Sequence, residues 1–334
     1  MAGGGVVNVG VDTAPLLLDN AGTARYVRGL LSGLRRRDDV RVRELTWGGR
    51  GRATAALRDV AWYPLLLPVQ ARRLDVLHCT IFRAPLRAPR PVVVTVHDLA
   101  AIRFPELFTA WTRLYARTLL RTVLRSATRV LAVSEFTKHD VAEVAGVPLD
   151  RIDVAYNAAD ASVFTPDGAA ADGDYVLAVG TLEPRKNLAR LIEATKRLDV
   201  ELRVAGARGW GGVEVEAPHV RWLGRPSDEE LAAQLRGALC LAYPSLWEGF
   251  GIPVLEAMLC GTPVVTSAGS AMEEVADGAA ELVEPTEVES IAAGIERALG
   301  RRAELRAAGL EQAQRFSWEA TAAAAVECYR RAAA

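Results

Sequence analysis

Apolar runs and helical periods alternate along the chain. The first run, Val6-Val-Asn-Val-Gly-Val-Asp12, predicts a strand buried on both faces. A polar loop containing a glycine follows, Asp19-Asn-Ala-Gly22-Thr. Then come a helical period from Ala24 to Arg36 and the alternating strand Val40-Arg-Val-Arg-Glu-Leu-Thr46. Asp75-Val-Leu-His78 and Val92-Val-Val-Thr-Val-His97 are two more buried strands, each ending on a histidine. The pattern predicts a helix from Trp111 to Ala127, a strand over Thr128–Ser134 and a further helix capped by Ser134. The stretch from Phe164 to Asp174 is small, polar and rich in turn formers, so it reads as a linker. After it the alternation begins again. Strands are predicted at 175–180, 202–206, 219–224, 240–244 and 263–266, and helices at 188–197, 228–236, 253–259, 287–299, 301–315 and 318–331.

Strands that alternate with helices, and that are themselves nearly continuous apolar runs, build parallel α/β sheets covered on both faces. Two such series predict two Rossmann-like domains, 1–165 and 172–316, with a cleft between them. The length of 334 residues, with half of them hydrophobic and 24% charged, fits two globular cores and excludes a disordered chain or a fibre. No apolar run is long enough for a transmembrane helix, and the start carries no signal-peptide pattern. The four cysteines, Cys79, Cys240, Cys260 and Cys328, are scattered, so reduced thiols and a cytoplasmic location are expected.

A net charge of −1 argues against a nucleic-acid binder, but it hides an asymmetry. Residues 1–165 carry 23 Arg and Lys against 15 Asp and Glu, a net of +8; residues 166–334 carry 17 against 26, a net of −9. Two domains that meet different partners are consistent with this split.

The chemistry gathers at a few strand ends. Glu248 lies in the Gly-rich loop Glu248-Gly-Phe-Gly251 after a strand, and Glu256 lies just over one turn into the next helix. Free amides from Gly249 to Ile252 at a helix start can bind a phosphate or a sugar hydroxyl, and carboxylates accept bonds from sugar hydroxyls. In Gly180-Thr-Leu-Glu-Pro-Arg185-Lys186-Asn187-Leu, two cations sit at a helix start, where they oppose the helix dipole. An anion between them resolves that conflict, and a diphosphate fits. His97-Asp98 closes a strand at the end where open α/β sheets bind ligands. A solvated glutamate, a charged surface loop and a buried structural histidine are the plain alternatives for these three motifs. The loop Asn20-Ala-Gly22-Thr23-Ala-Arg25 brings amides to a helix start, but neither G-x-G-x-x-G nor a P-loop is present. No G-x-S-x-G elbow and no zinc spacing occur, and Asp172-Gly-Asp174 reads as turn chemistry.

Read together, these segments resemble the retaining glycosyltransferases of family 4, which have the GT-B fold, and within them the mannosyltransferases. The resemblance rests on Gly180–Leu188, on Glu248 with Glu256 eight positions on, on Val96-His97-Asp98-Leu, on Val133-Ser134-Glu-Phe-Thr, and on Ala155-Tyr156-Asn157. It implies that Lys186, with Arg185, Gly22 and Thr181, meets the donor's diphosphate. It implies that Glu248, Gly249, Phe250, Gly251 and Asp98 bind the transferred sugar, with His97 and Glu248 at the reacting carbon. Glu256 would hold the ribose, and Gly206, Leu223, Gly224 and Arg225 the base. No metal or other cofactor is expected; the co-substrate is a nucleotide-diphosphate sugar, with a weak preference for GDP-mannose, and the acceptor a glycan or a lipid-linked hydroxyl. Helix 317–334 is expected to cross back to the first domain. Thr181 stands where many members have Arg, and Ala158 where they have Gly. A UDP-sugar 2-epimerase of the same fold and a non-catalytic nucleotide-sugar-binding protein are the rivals.

Arg113, Arg117, Arg121, Arg125 and Arg129 recur every four residues beside Trp111, Tyr115 and Leu119. Such a stripe suits an anionic membrane surface and a peripheral location there; a solvated face is the equal alternative.

Overall fold

The computed structural model describes the chain except residues 1–4, 18–20, 50, 52–53, 55–56, 210–211 and 213–215, and the side chain of Ala21. It divides into two compact units. The first is Met1–Ala158 together with Phe316–Ala334, and the second is Ala159–Arg315.

Among the described residues of the first unit, six parallel strands form one sheet in the order β2-β1-β3-β4-β5-β6. They are β1 (Val7–Asp12), β2 (Val40–Leu45), β3 (Val76–Cys79), β4 (Val92–Val96), β5 (Arg129–Ala132) and β6 (Ile152–Val154). The second unit repeats the plan in the order β12-β11-β10-β7-β8-β9. Its strands are β7 (Tyr175–Val179), β8 (Glu201–Ala205), β9 (Val220–Gly224), β10 (Cys240–Tyr243), β11 (Val264–Ser267) and β12 (Glu281–Val283). β3, β4, β7, β10 and β11 are the short apolar runs of the sequence, almost entirely buried, as strands covered on both faces must be.

Several expectations change. The segment 164–174 is not a free linker: Phe164 is buried, and the Arg236 guanidinium donates to the carbonyls of Thr165 and Ala169. The first helix runs Ala21–Arg35, so Gly22 and Thr23 belong to its first turn rather than to a loop, and Asn20 lies outside the described residues. The arginine stripe is shorter than its spacing suggests. Helix 110–126 consists of Ala110–Tyr115 and Arg121–Ser126 with a π-helical segment, Ala116–Leu120, between them. Arg125 Nε donates to the Ala145 carbonyl, and Arg129 sits in β5, ion-paired with Asp153. Tyr115 is buried; of the five arginines, Arg113, Arg117 and Arg121 are exposed on this helix, and Arg125 is exposed but tied to Ala145. Among the described residues no helix is long and apolar enough to cross a membrane.

The last helix, Trp318–Ala333, belongs to the first unit. Gly29 and Gly33 of the first helix make room for it: a Cβ on Gly29 would stand 2.1 Å from the Trp318 ring, and one on Gly33 would stand 2.3 Å from the Trp318 carbonyl. Beneath the contact lies a chain of buried polar groups. The Tyr329 hydroxyl is 2.7 Å from His78 Nδ1, His78 Nε2 is 2.7 Å from Thr95 Oγ1, and the Tyr26 hydroxyl is 2.9 Å from the same Thr95 oxygen. Burial, with a smaller push from His97, drives the His78 pKa down to about 3. The folded protein therefore keeps this ring neutral while the unfolded chain protonates it below about 6.5. Stability from this group is complete above that pH and falls as the solution is acidified, by up to about 1.4 kcal/mol per pH unit. Melting temperature measured against pH should fall more gently below pH ~6.5 in His78→Asn than in the parent protein; equal slopes would refute the assignment.

Candidate functional site

In an open α/β sheet, ligands bind beyond the carboxyl ends of the two strands at which the strand order reverses. In the second unit those strands are β7 and β10. After β7 the chain turns through Gly180, whose φ of 140° suits glycine alone, and enters the short 3-10 turn Pro184–Lys186. After β10 it passes through Ser245 to Glu248 and then to Gly251, with φ of 94°, before the helix Ile252–Leu259 begins. A Cβ on Gly251 would stand 2.7 Å from Met272, so the loop is both turned and tightly packed there.

The two loops meet in one buried polar network centred on Glu248. Oε1 of Glu248 accepts from Lys186 Nζ at 2.5 Å, from the Tyr243 hydroxyl at 2.9 Å and from Ser245 Oγ at 2.8 Å. Oε2 accepts from Arg185 Nη1 at 2.8 Å. Arg185 also donates to the Glu183 carboxylate at 2.6 Å and to the Trp247 carbonyl at 2.6 Å. Lys186 Nζ reaches the Tyr243 hydroxyl at 2.6 Å and lies 4.9 Å from the centre of that ring. Asn187, held at φ of 60°, ties the turn down by donating to the Pro244 and Pro285 carbonyls.

Burial alone would raise the Glu248 carboxyl; Arg185 and Lys186 overcome it and hold the group down to about 2, a permanent carboxylate. Lys186 is pulled the other way. Its desolvation, with Arg185 beside it, lowers the pKa against the pull of Glu248. Two of the three ammonium donors are engaged, which leaves one for a further acceptor.

The spacing of the sequence pointed to Arg185, Lys186 and Glu248 as members of separate motifs, and the structure brings them into direct contact. Glu183, Tyr243 and Ser245, which hold them, were not singled out; Tyr243 as the last residue of a strand beside the Glu248 loop is the signal that was there to read. Glu256 is 1% exposed within the helix Ile252–Leu259. Gly206 stands against the turn after β7: a Cβ there would come within 1.8 Å of the Gly180 carbonyl oxygen, so only glycine fits. Its amide donates to the Gly224 carbonyl at 2.6 Å, and its own carbonyl accepts from Trp222 Nε1. Leu223 and Arg225 line a shallow cavity with Pro226, Glu230 and Gln234. Thr181 is half-buried beside the turn.

His97 and Asp98 belong to the first unit, just beyond β4. His97 Nε2 donates to the Thr80 carbonyl at 2.9 Å, and the ring packs edge-on against Tyr26 with centroids 4.7 Å apart. Desolvation lowers its pKa, against the Thr80 bond and the Asp98 charge, so the ring is neutral near pH 7 and its Nδ1 is an acceptor. Asp98 accepts from the Ala100 amide at 3.0 Å. Among the described residues no three His, Cys, Asp or Glu side chains gather as a metal site.

Two family models cover this architecture. One, described as glycosyl transferases group 1, matches residues 161–316; the other, described as Glycosyltransferase Family 4, matches residues 21–163. A mannosyltransferase of Escherichia coli, O-antigen chain mannosyltransferase B, is 34% identical over 283 residues, 76% of this chain and 74% of that protein. The chain belongs to this glycosyltransferase family. A second relative, the MMP alpha-(1->4)-mannosyltransferase of Mycolicibacterium hassiacum, is 31% identical over 73% of this chain and 66% of that protein. Among solved structures, the glycosyltransferase is similar to the sucrose-phosphate synthase of Thermosynechococcus elongatus, with TM-score 0.75 and 20% identity over 97% of this chain and 98% of that one. It is also similar to Anabaena HepE in complex with UDP and glucose, with TM-score 0.72 and 19% identity over 96% of this chain and 98% of that one. The fold is GT-B, and the protein is an enzyme that transfers sugars.

Proposed function

We propose that this glycosyltransferase moves mannose from GDP-mannose to a hydroxyl of a glycan or a lipid-linked acceptor, with retention of configuration and without a metal. The observation that carries the reading is the convergence of Arg185, Lys186 and Glu248 at the β7–β10 reversal, the position where the fold binds ligands. The choice of mannose rests on relatives named as mannosyltransferases.

In this reading Lys186 turns its remaining donor to the diphosphate, with Arg185, the Thr181 turn and the Gly22 amide adding positive potential. Glu248 accepts hydroxyls of the mannose, helped by amides of Gly249, Phe250 and Gly251 and by Asp98. Glu256 takes the ribose hydroxyls, and Gly206 with Leu223, Gly224 and Arg225 borders the base. His97 Nδ1 accepts a donor hydroxyl near the reacting carbon. The bond from the anomeric carbon to the diphosphate oxygen breaks while the acceptor oxygen bonds the same face of that carbon. The acceptor's proton passes to the departing phosphate. Cations and loop amides stabilise the charge on the leaving group, in place of a metal.

A thermal-shift panel of UDP, GDP, ADP and dTDP with their sugars, run with and without EDTA, tests this. Stabilisation by GDP and GDP-mannose alone, unaffected by EDTA, is expected, followed by an α-linked mannoside in the product NMR spectrum. Preference for another nucleotide, loss of the shift in EDTA, or an inverted linkage would each overturn the corresponding part.

A further inference from the structure

Large apolar side chains left in water are not scattered evenly over the first unit. Leu57, Val60, Leu65, Leu66 and Val69 are 51%, 63%, 63%, 40% and 53% exposed, all in or beside the continuous helical segment Arg58–Leu66 and Leu67–Gln70. Trp111, Leu114 and Leu119 are also exposed, on helix 110–126. The two helices are joined where Trp111 Nε1 donates to Asp59 at 2.8 Å. Asp59 is already ion-paired with Arg83, whose guanidinium lies over the Tyr115 ring.

The exposed charge on these two helices has one sign, since the Asp59 side chain is buried in its ion pair. Arg72 and Arg73 follow Val69, and Arg113, Arg117 and Arg121 alternate with the exposed apolar residues of the second helix; all five are exposed, and none has an ion pair among the described residues. From Leu107 to Ser134 the sequence has no Asp or Glu. A second copy docking through the same face would bring these arginines against their own kind. An anionic surface with an apolar interior meets both features at once.

We propose that segment 57–73 and the exposed face of helix 110–121 form a docking surface for an anionic lipid bilayer. The aliphatic and Trp side chains enter the acyl boundary, and the arginines pair with lipid phosphates. The proposal needs neither Arg125 nor Arg129. It uses none of the residues assigned to the donor.

Flotation with vesicles tests it. The protein should float with mixed phosphatidylcholine and phosphatidylglycerol vesicles, less so as salt rises, and not with phosphatidylcholine alone. The triple variant Arg113→Gln, Arg117→Gln, Arg121→Gln should lower the partition on the order of 100-fold, at about fivefold per arginine. The triple variant Val60→Ser, Leu65→Ser, Val69→Ser should release the protein as well. All six side chains are exposed, and an unchanged melting transition of the first unit in scanning calorimetry reports that each variant is folded. Failure of the parent protein to float, equal flotation with neutral vesicles, or flotation unchanged in both variants would overturn the proposal. So would a dimer in solution that the serine variant splits, since that would give the face to a second copy.

Discussion

Glu248→Gln lowers kcat/KM for sugar transfer on the order of 10³-fold while GDP alone binds nearly as before. The amide keeps the shape of the carboxylate and its Ser245 bond, but it carries no charge. Arg185 and Lys186 have side chains only 14% and 12% exposed, and both rest on this carboxylate. Removing one partner of a buried ion pair costs about 3–5 kcal/mol, because the other charge stays desolvated. Here the cost is smaller, since Arg185 keeps Glu183. On the proposed reading, in which the sugar hydroxyls meet Glu248, the loss falls on the sugar half of the donor more than on the nucleotide half. Steady-state kinetics with GDP-mannose, set beside calorimetric GDP affinity, separate the two. Transfer close to the parent rate would remove Glu248 from the site.

Deleting residues 317–334 unfolds the first unit and leaves the second standing. The deleted helix buries Ala322, Ala325, Val326, Cys328 and Tyr329 completely, and Thr321 and Ala332 nearly so. Full burial of a large apolar side chain is worth about 1.5–3 kcal/mol, and each methyl-sized one about 0.8 kcal/mol. His78 would also lose its Tyr329 partner, at a cost of about 1–3 kcal/mol. The sum approaches the roughly 5–15 kcal/mol that a whole domain has to spare. Scanning calorimetry of the shortened protein should show only the transition of the second unit, with its nucleotide response intact. Two transitions at their original temperatures would sink this expectation.

The fold was legible because its strands are apolar runs of the length that parallel sheets need, and helix Leu188–Arg197 was placed to the residue. What escaped has physical reasons. Ile152–Val154 and Glu281–Val283 are only three residues long, too short for any period to show. Segment 58–70 is apolar on every side and contains Pro64 and Pro68, which mask a helical period. The arginine spacing misled because helix 110–126 stops before Arg129, and a count of four continues across that boundary where the backbone does not. At the site, the residue types pointed to the loops after β7 and β10. The contact of Lys186 with Glu248 spans 62 positions, so only the sheet order brings them together.

The return of the final helix sets an order for synthesis. His78 and its partner Tyr329 are 251 residues apart, and every residue of the second unit is translated between the halves of the first. The 176 residues that follow Ala158 take roughly ten to thirty-five seconds to emerge at the usual elongation rate. For that time the sheet of the first unit waits with its Gly29 and Gly33 groove open on the ribosome, while the second unit has all its strands. The unit begun first is the unit finished last, and a chain released before that helix is made carries a complete second unit and an unfinished first one.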